Sequence, residues 1–316
     1  MHWLLSISDD FSLREVIRRS GWLLHPPFHV PSLTGRLTRV ELLDGENAVE
    51  LVVSQAPAGL VVQTTARLSG QEIQDASQRV WRMLRLDENF RPFLRLARRS
   101  EALAPSVRSD ARLLRGTTLF EDVLTAALAT WHAGPGGRGA GTQLLGALRP
   151  GFELVVAMVD RLGTPLPANP TLHTFPGPER ILAHSEVLPS IFPADLAEQA
   201  LRIARLLAEG TELTELVRRP VSATKLAQDL RELTGIAPPN LGLLMLNLSR
   251  YDYVPTDWIA REQLRRYRDS LGSGEHDVTG QDILRFFDRW QPWGGLAYWL
   301  WDWSKVSNSV VLKAEG

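Results

Sequence analysis

The stretch that most limits how this chain can fold runs from Ser222 to Asp257, SATKLAQDLRELTGIAPPNLGLLMLNLSRYDYVPTD. Ser222 is a good helix N-cap, and Leu226, Leu230 and Leu233 recur at helical spacing on one face. Gly235 can end that helix, because the left-handed turn closing a helix costs glycine almost nothing. Pro238 and Pro239 suit only the first turn of a helix, where a missing N–H is tolerated. A second helix therefore starts directly after the turn, with Leu241, Leu244, Met245 and Leu248 as its apolar stripe. A hairpin of this kind, Leu233 to Pro238, can present backbone N–H groups to a nucleic-acid phosphate. The loop after the second helix ends in an acid, Asp257, followed by another helical pattern from Trp258 to Ser270.

The rest of the chain divides by pattern. Short β-branched runs at 3–7, 40–43, 49–53 and 60–63 read as strands, with Asp44-Gly45 as a hairpin turn between two of them. Helices are expected over Ser12–Ser20, over 69–85 with Ile73, Ala76, Val80, Met83 and Leu84 inward, and over Asn89–Ser100. Thr118 is placed to cap a further helix reaching about Thr130, with Glu121 completing a capping box. Residues 142–210 read as helices broken by proline and glycine, and Thr279 caps a helix to Phe287. The Gly-rich run after Trp131-His132 lacks the spacing of a phosphate-cradling loop.

Composition removes several function classes. With 44% apolar and 22% charged residues, the 316-residue chain is that of an ordinary globular protein of two domains or two lobes. No apolar stretch approaches a membrane span, and MHWLLSISDD lacks the basic start of a signal peptide, so no membrane partner and a cytoplasmic location are expected. The absence of cysteine excludes disulfides, thiolate zinc and iron–sulfur clusters, and no histidine pair has ligand spacing, so no metal is expected. Net charge is −1, so any DNA affinity must come from a local patch. Arginine carries almost all the positive charge, a bias that suits phosphate contacts and equally follows from a GC-rich genome. The arginines of 91–99 and 261–268 face either DNA backbone or solvent.

Five blocks resemble the helix-hairpin-helix superfamily of DNA glycosylases, nearest to its 3-methyladenine glycosylase II and 8-oxoguanine glycosylase branches. Leu233 to Asp257 follows the pattern L-P-G-I/V-G, apolar helix, V-P-x-D. Trp22 to Phe28 ends in Pro-Pro-Phe. Leu113 to Asp122 is similar to the start of the central helical domain. Phe175-Pro176-Gly177-Pro178-Glu179 is similar to F-P-T-P-E, and Trp290 to Trp301 to the terminal W-x-P-W/Y-x-G/S-x-A helix. Thr234, Ala237 and Pro239 depart from the motif, the last standing where bifunctional members carry a Schiff-base lysine.

The resemblance implies an α+β fold: a small antiparallel β-sheet lobe with flanking helices over 1–105, then an all-α domain over 106–316. That domain would hold the helix-hairpin-helix at 222–249 and the aspartate loop at 250–257. It implies a monofunctional DNA glycosylase of base excision repair, acting as a monomer near the nucleoid on double-stranded DNA with an alkylated or oxidised base. The alternative is a lesion-recognition protein of the same fold with little or no activity, or a helical scaffold. Asp257 takes the place of the essential carboxylate; its bland role is the N-cap of the helix from Trp258. DNA contacts would come from Gly235, Ile236, Ala237, Asn240 and Arg261, with Trp131 or His132 filling the gap left by a flipped base. Phe28, Trp22, Trp258 and Tyr298 are base-pocket candidates, core packing being the other fate of such rings. No cofactor is implied beyond a monovalent cation at the hairpin.

Overall fold

The computed structural model describes residues 1–8, 10–20, 25–29, 35–44, 47–107, 110–129, 149–272, 277–301 and 303. Trp22, Trp131, His132 and Gly45, singled out above, lie outside them. The chain forms two compact units that interleave along the sequence. One gathers 1–91, 109–128 and 152–214, the other 92–108, 129–151 and 215–316. The architecture is α+β, as the sequence patterns lead one to expect.

The first unit is built on four antiparallel strands, β1 (His2–Leu5), β2 (Leu37–Leu43), β3 (Asn47–Ala56) and β4 (Gly59–Gln63), in the order β1-β4-β3-β2. Apolar residues on one face, among them Leu37, Leu43, Val49, Leu51, Val53, Leu60 and Val62, form a core with Val16 of α1 (Leu13–Arg19). Ala76, Val80 and Met83 of α2 (Gly70–Met83) complete it. The helix starts at Ser69, whose hydroxyl accepts from the Glu72 N–H while the Glu72 carboxylate accepts from the Ser69 N–H.

Extended chain at 110–117 is held by arginines that use carbonyls as acceptors. Arg85 Nε donates to the Leu113 carbonyl (2.7 Å), Arg112 Nε to that of Arg85 (3.1 Å), and Arg115 Nε to that of Arg82 (2.9 Å). Arg112 also lies over the rings of Phe11 and Phe90 and pairs with Asp110, so the buried guanidinium is not left without partners. Then α4 (Leu119–Leu128) begins. Thr118 Oγ1 accepts from the Glu121 N–H as expected, but the Glu121 carboxylate goes elsewhere. It takes the Thr117 N–H and Arg39 instead of closing a reciprocal box on Thr118. Burial disfavours the Arg39 charge, yet Glu121 and Glu41 outweigh it and hold the guanidinium firmly protonated.

Residues 149–208 are not wholly helical. After α3 (Arg91–Ala97) and α4, the helix α5 (Arg149–Leu162) gives way to a two-stranded ribbon, β5 (Pro165–Leu166) with β6 (Asn169–His173). Pro165, Pro167 and Pro170 exclude a helix there, since each would remove an N–H from the helical ladder. The helices α6 (Pro178–Ala183) and α7 (Ala194–Ala208) follow.

The second unit carries α8 (Glu212–Arg218, its last turn), α9 (Ala223–Thr234), α10 (Pro238–Asn247), α11 (Trp258–Ser270), α12 (Gly280–Phe287) and α13 (Gly294–Leu300). Leu226, Leu230, Leu241, Leu244 and Met245 are buried, as the stripe at helical spacing predicts, whereas Leu233 and Leu248 are half-buried and Leu243 is buried outside the stripe. Around α12 and α13 the aromatic residues form a continuous edge-to-face cluster. Tyr267, Phe286, Phe287, Trp301 and Trp303 meet there with centroid separations of 5.0 to 6.3 Å.

Candidate active site

The hairpin forms where the sequence places it. Ser222 caps α9 through the Lys225 N–H, and Gly235 closes it with φ +73°, donating its N–H to the Arg231 carbonyl at 2.8 Å. Ala237 is the N-cap of α10, with Pro238 and Pro239 in its first turn. The consequence for phosphate binding is sharp. Gly235 N–H is used by Arg231, and the Ile236 N–H donates to Thr234 Oγ1 at 3.3 Å while its side chain is fully buried. The prolines have none. From 235 to 239, Ala237 is therefore the one position whose N–H donates to no described residue, and it is exposed. Asn240 does not face outward: it is buried and its Nδ2 donates to the Ala129 carbonyl at 2.7 Å, a brace for the start of α10.

The loop from Tyr251 to Asp257 is clamped by glycines of two helices. Gly242 of α10 lies against Pro255, where a Cβ would come within 2.7 Å of its ring. Gly295 of α13 lies against the Tyr253 carbonyl so closely that a Cβ would sit 2.1 Å from the oxygen, and its N–H donates to the Tyr251 carbonyl at 2.7 Å. Tyr251 stacks on Trp293, centroids 5.3 Å apart, just before α13. These contacts fix the backbone that leads into Asp257.

Asp257 is the N-cap of α11. Its Oδ1 accepts from the Ile259 N–H (2.8 Å) and the Ala260 N–H (3.3 Å). Both bonds go to Oδ1, so Oδ2 takes no hydrogen bond from the side chain of any described residue. Burial raises the Asp257 carboxyl above the ordinary aspartate value of 3.8, opposed by the backbone N–H groups and by the Arg261 charge. Its charge is felt by two phenols. Burial and then Asp257 push Tyr253 up to about 12, and the same two causes raise Tyr298 well above the usual tyrosine value. Both are thus neutral hydroxyls in any ordinary buffer.

The capping role and a chemical role are compatible, because the cap uses one oxygen and leaves the other. A half-buried carboxylate with a raised pKa beside neutral donors is what a site for stabilising positive charge or holding water requires. Trp258, the next residue, is 51% exposed, so its indole is open to a flat ligand. Arg261 lies one turn on, its Nε donating to the Thr256 carbonyl at 3.0 Å.

Solved structures with this fold are numerous. The chain matches a 3-methyladenine DNA glycosylase from Archaeoglobus fulgidus over 95% of its length and 96% of that chain, with TM-score 0.67 and 18% identity. It matches the apo form of a Clostridium acetobutylicum 8-oxoguanine glycosylase/lyase over 95% of its own length and 97% of the other's, at TM-score 0.63 and 15% identity. The same enzyme bound to double-stranded DNA with cytosine opposite 8-oxoguanine matches over 100% and 99%, at TM-score 0.62 and 15% identity. The chain has the helix-hairpin-helix DNA glycosylase fold. No sequence-family profile matches it, and no curated protein does.

Within this glycosylase fold the expected residues fare differently. Gly235, Ile236, Ala237, Asp257, Trp258, Arg261 and Tyr298 belong to one unit, on the hairpin, the aspartate loop, the start of α11 and α13. Tyr298, expected at the pocket, is 2% exposed and its ring is held between Phe287, Trp299 and Trp303. Phe28 belongs to the other unit. It is buried in the sheet core, with the Arg39 guanidinium over its ring at 4.5 Å. Reading the sequence missed Tyr253 and the clamping glycines. The adjacent pair Gly294-Gly295 at the head of a helix was the available signal, since two glycines there disfavour a helix unless another backbone must approach.

Proposed function

We propose that the protein is a DNA N-glycosylase of base excision repair, in which Asp257 supports hydrolysis of the glycosidic bond of a flipped, damaged base. The observation that carries this reading is the Asp257 carboxylate. It is half-buried, held by its cap bonds on Oδ1, and has Oδ2 left over. Cleavage of an N-glycosidic bond passes through a sugar with oxocarbenium character, and a fixed carboxylate beside it lowers that barrier. The duplex must first give up the nucleotide, and the exposed indole of Trp258 offers a face on which a base can stack. Structural neighbours of the chain act on methylated or oxidised purines, which supports the same class of substrate here.

The reading includes hydrolysis without a lysine-linked intermediate. Pro239 has no amine, and Lys225 sits exposed on α9 in an ion pair with Asp229. DNA would be held through the Ala237 N–H and nearby arginines, in a protein acting as a monomer and needing no cofactor beyond a monovalent cation at the hairpin.

One observation favours a second reading. A hairpin with a single free N–H grips phosphate weakly, which suits a protein that inspects lesions without cutting. Incubation with duplexes carrying 3-methyladenine-type, hypoxanthine or 8-oxoguanine bases, followed by alkali, separates the two. Strand cleavage at one lesion is the result expected of a glycosylase; tight lesion binding with no cleavage on any duplex supports the second reading.

A further inference from the structure

The peptide that joins Thr256 to Asp257 is held from the helix that follows it. The Arg261 N–H donates to the Asp257 carbonyl at 3.0 Å, and the side chain folds back so that Nε donates to the Thr256 carbonyl, also at 3.0 Å. Side chains on a helix lean toward its N-terminus, and here the lean carries the guanidinium back to the level of Asp257. The latch occupies Nε alone. Arg261 is exposed, forms no ion pair with a described residue, and its two terminal nitrogens donate to none of them.

Trp258 stands three residues before Arg261, a spacing that makes two helix positions neighbours on one face. Its indole is 51% exposed, and Trp81 of the other unit is the one other exposed tryptophan among the described residues. The unit's tryptophans near α12 and α13 are spent on packing, Trp290, Trp299, Trp301 and Trp303 all being buried. A single exposed ring needs no explanation by itself. This one stands directly after a capped carboxylate and beside a latched guanidinium, and that company gives it meaning.

We propose that Trp258 and Arg261 form a subsite for one nucleotide of a DNA strand, the base stacked on the indole and a flanking phosphate held by the terminal nitrogens of the guanidinium. This deepens the glycosylase reading above and rests on it, because the sugar that joins base to phosphate then lies toward Asp257. Each group suits its part. An indole face accepts any base, since stacking depends little on sequence. A guanidinium anchored through Nε keeps its other two nitrogens in one plane, and two phosphate oxygens match that fork. Because the latch is to the peptide beside Asp257, an engaged phosphate also fixes the sugar relative to the carboxylate. The subsite supplies a charged contact that the hairpin, with Ala237 as its one free N–H, does not.

Duplex binding, measured in the Asp257→Asn background so that base release does not interfere, reads the two anchors separately. Arg261→Gln should weaken binding and make the slope of log affinity against log salt shallower by about 0.9, the change expected when one phosphate contact is lost. Arg261→Lys keeps the charge and should restore that slope. Trp258→Ala should leave the slope unchanged. It should weaken binding about 5- to 100-fold on a duplex carrying hypoxanthine, with little change when a reduced abasic site replaces the base. Thermal unfolding of each variant establishes that it is folded. Weaker binding of Arg261→Gln at an unchanged slope marks the guanidinium as a latch for the loop alone and overturns the subsite. So does a Trp258→Ala loss that is equal on both duplexes, or no loss at all. Those results leave the glycosylase reading intact. A wild type that releases no base from any lesion duplex overturns that reading and, with it, the placing of the sugar at Asp257.

Discussion

At the scale of the residue, the account turns on how one carboxylate divides its two oxygens. Oδ1 of Asp257 serves the helix, and Oδ2 is the oxygen to which the proposed function gives the chemistry. Because burial raises its pKa, base release that needs the ionised form should climb with pH through a value above 3.8 and then level off. A rate-against-pH profile with its acid limb at or below the ordinary aspartate value would contradict this. The same shift has a sign for stability. A carboxyl whose folded pKa exceeds its unfolded one stabilises the fold below the unfolded value, and that contribution is lost as pH rises through the folded value. At neutral pH the charge is therefore a cost to folding. An asparagine side chain in its place would still cap the helix, so Asp257→Asn should unfold at the same temperature as wild type or higher at pH 7, as read by thermal denaturation. The bland role of Asp257 was legible from its position before a helical pattern. Its raised pKa was not, because burial depends on α10 and α13 arriving from elsewhere in the chain.

At the scale of the element, the aspartate loop is as rigid as the glycines beneath it are small. Gly295→Ala would drive a methyl into the Tyr253 carbonyl, and the backbone must move to admit it. Overpacking of this kind costs about 1–3 kcal/mol, so a lower midpoint in denaturant is expected together with slower base release. The hairpin makes the opposite kind of prediction. Pro239→Ala would add an N–H to the first turn of α10, at a position now lacking one. Duplex binding should tighten several-fold, up to about tenfold, since a hydrogen bond to a charged phosphate oxygen is among the stronger ones. Affinity measured against salt would register it. The elements themselves were largely readable: α11 and α12 fall on the expected residues, and the four strands lie where β-branched runs end at turns. The ribbon at 165–173 was not, because two- and five-residue strands carry too short a pattern to show alternation. The use of Asn240 as a brace was equally hidden, since its acceptor is the carbonyl of Ala129, far away in sequence.

At the scale of the molecule, the proposed DNA binding by a chain of net charge −1 requires a small footprint. In the unit that holds Asp257, Arg265 and Arg266 are tied to Glu262, whereas Arg95, Arg99, Arg218, Arg219, Arg231 and Arg261 form no ion pair with a described residue. With net charge −1 the number of phosphates neutralised should be small, so log affinity against log salt should fall with a shallow slope of about −2 to −4. A slope near −8 would point to a broad basic surface instead. The fold is shared with solved glycosylases over nearly the whole chain at 15–18% identity, and the chemistry proposed here rests on Asp257. The central claim is therefore tested most directly by single-turnover base release, comparing wild type with Asp257→Asn on the lesion duplex that the wild type cuts fastest. Loss of at least about 100-fold in rate, with duplex binding and folding retained, is the result expected when a fixed charge is removed from the transition state. An Asp257→Asn protein that releases the base as fast as wild type would contradict the account.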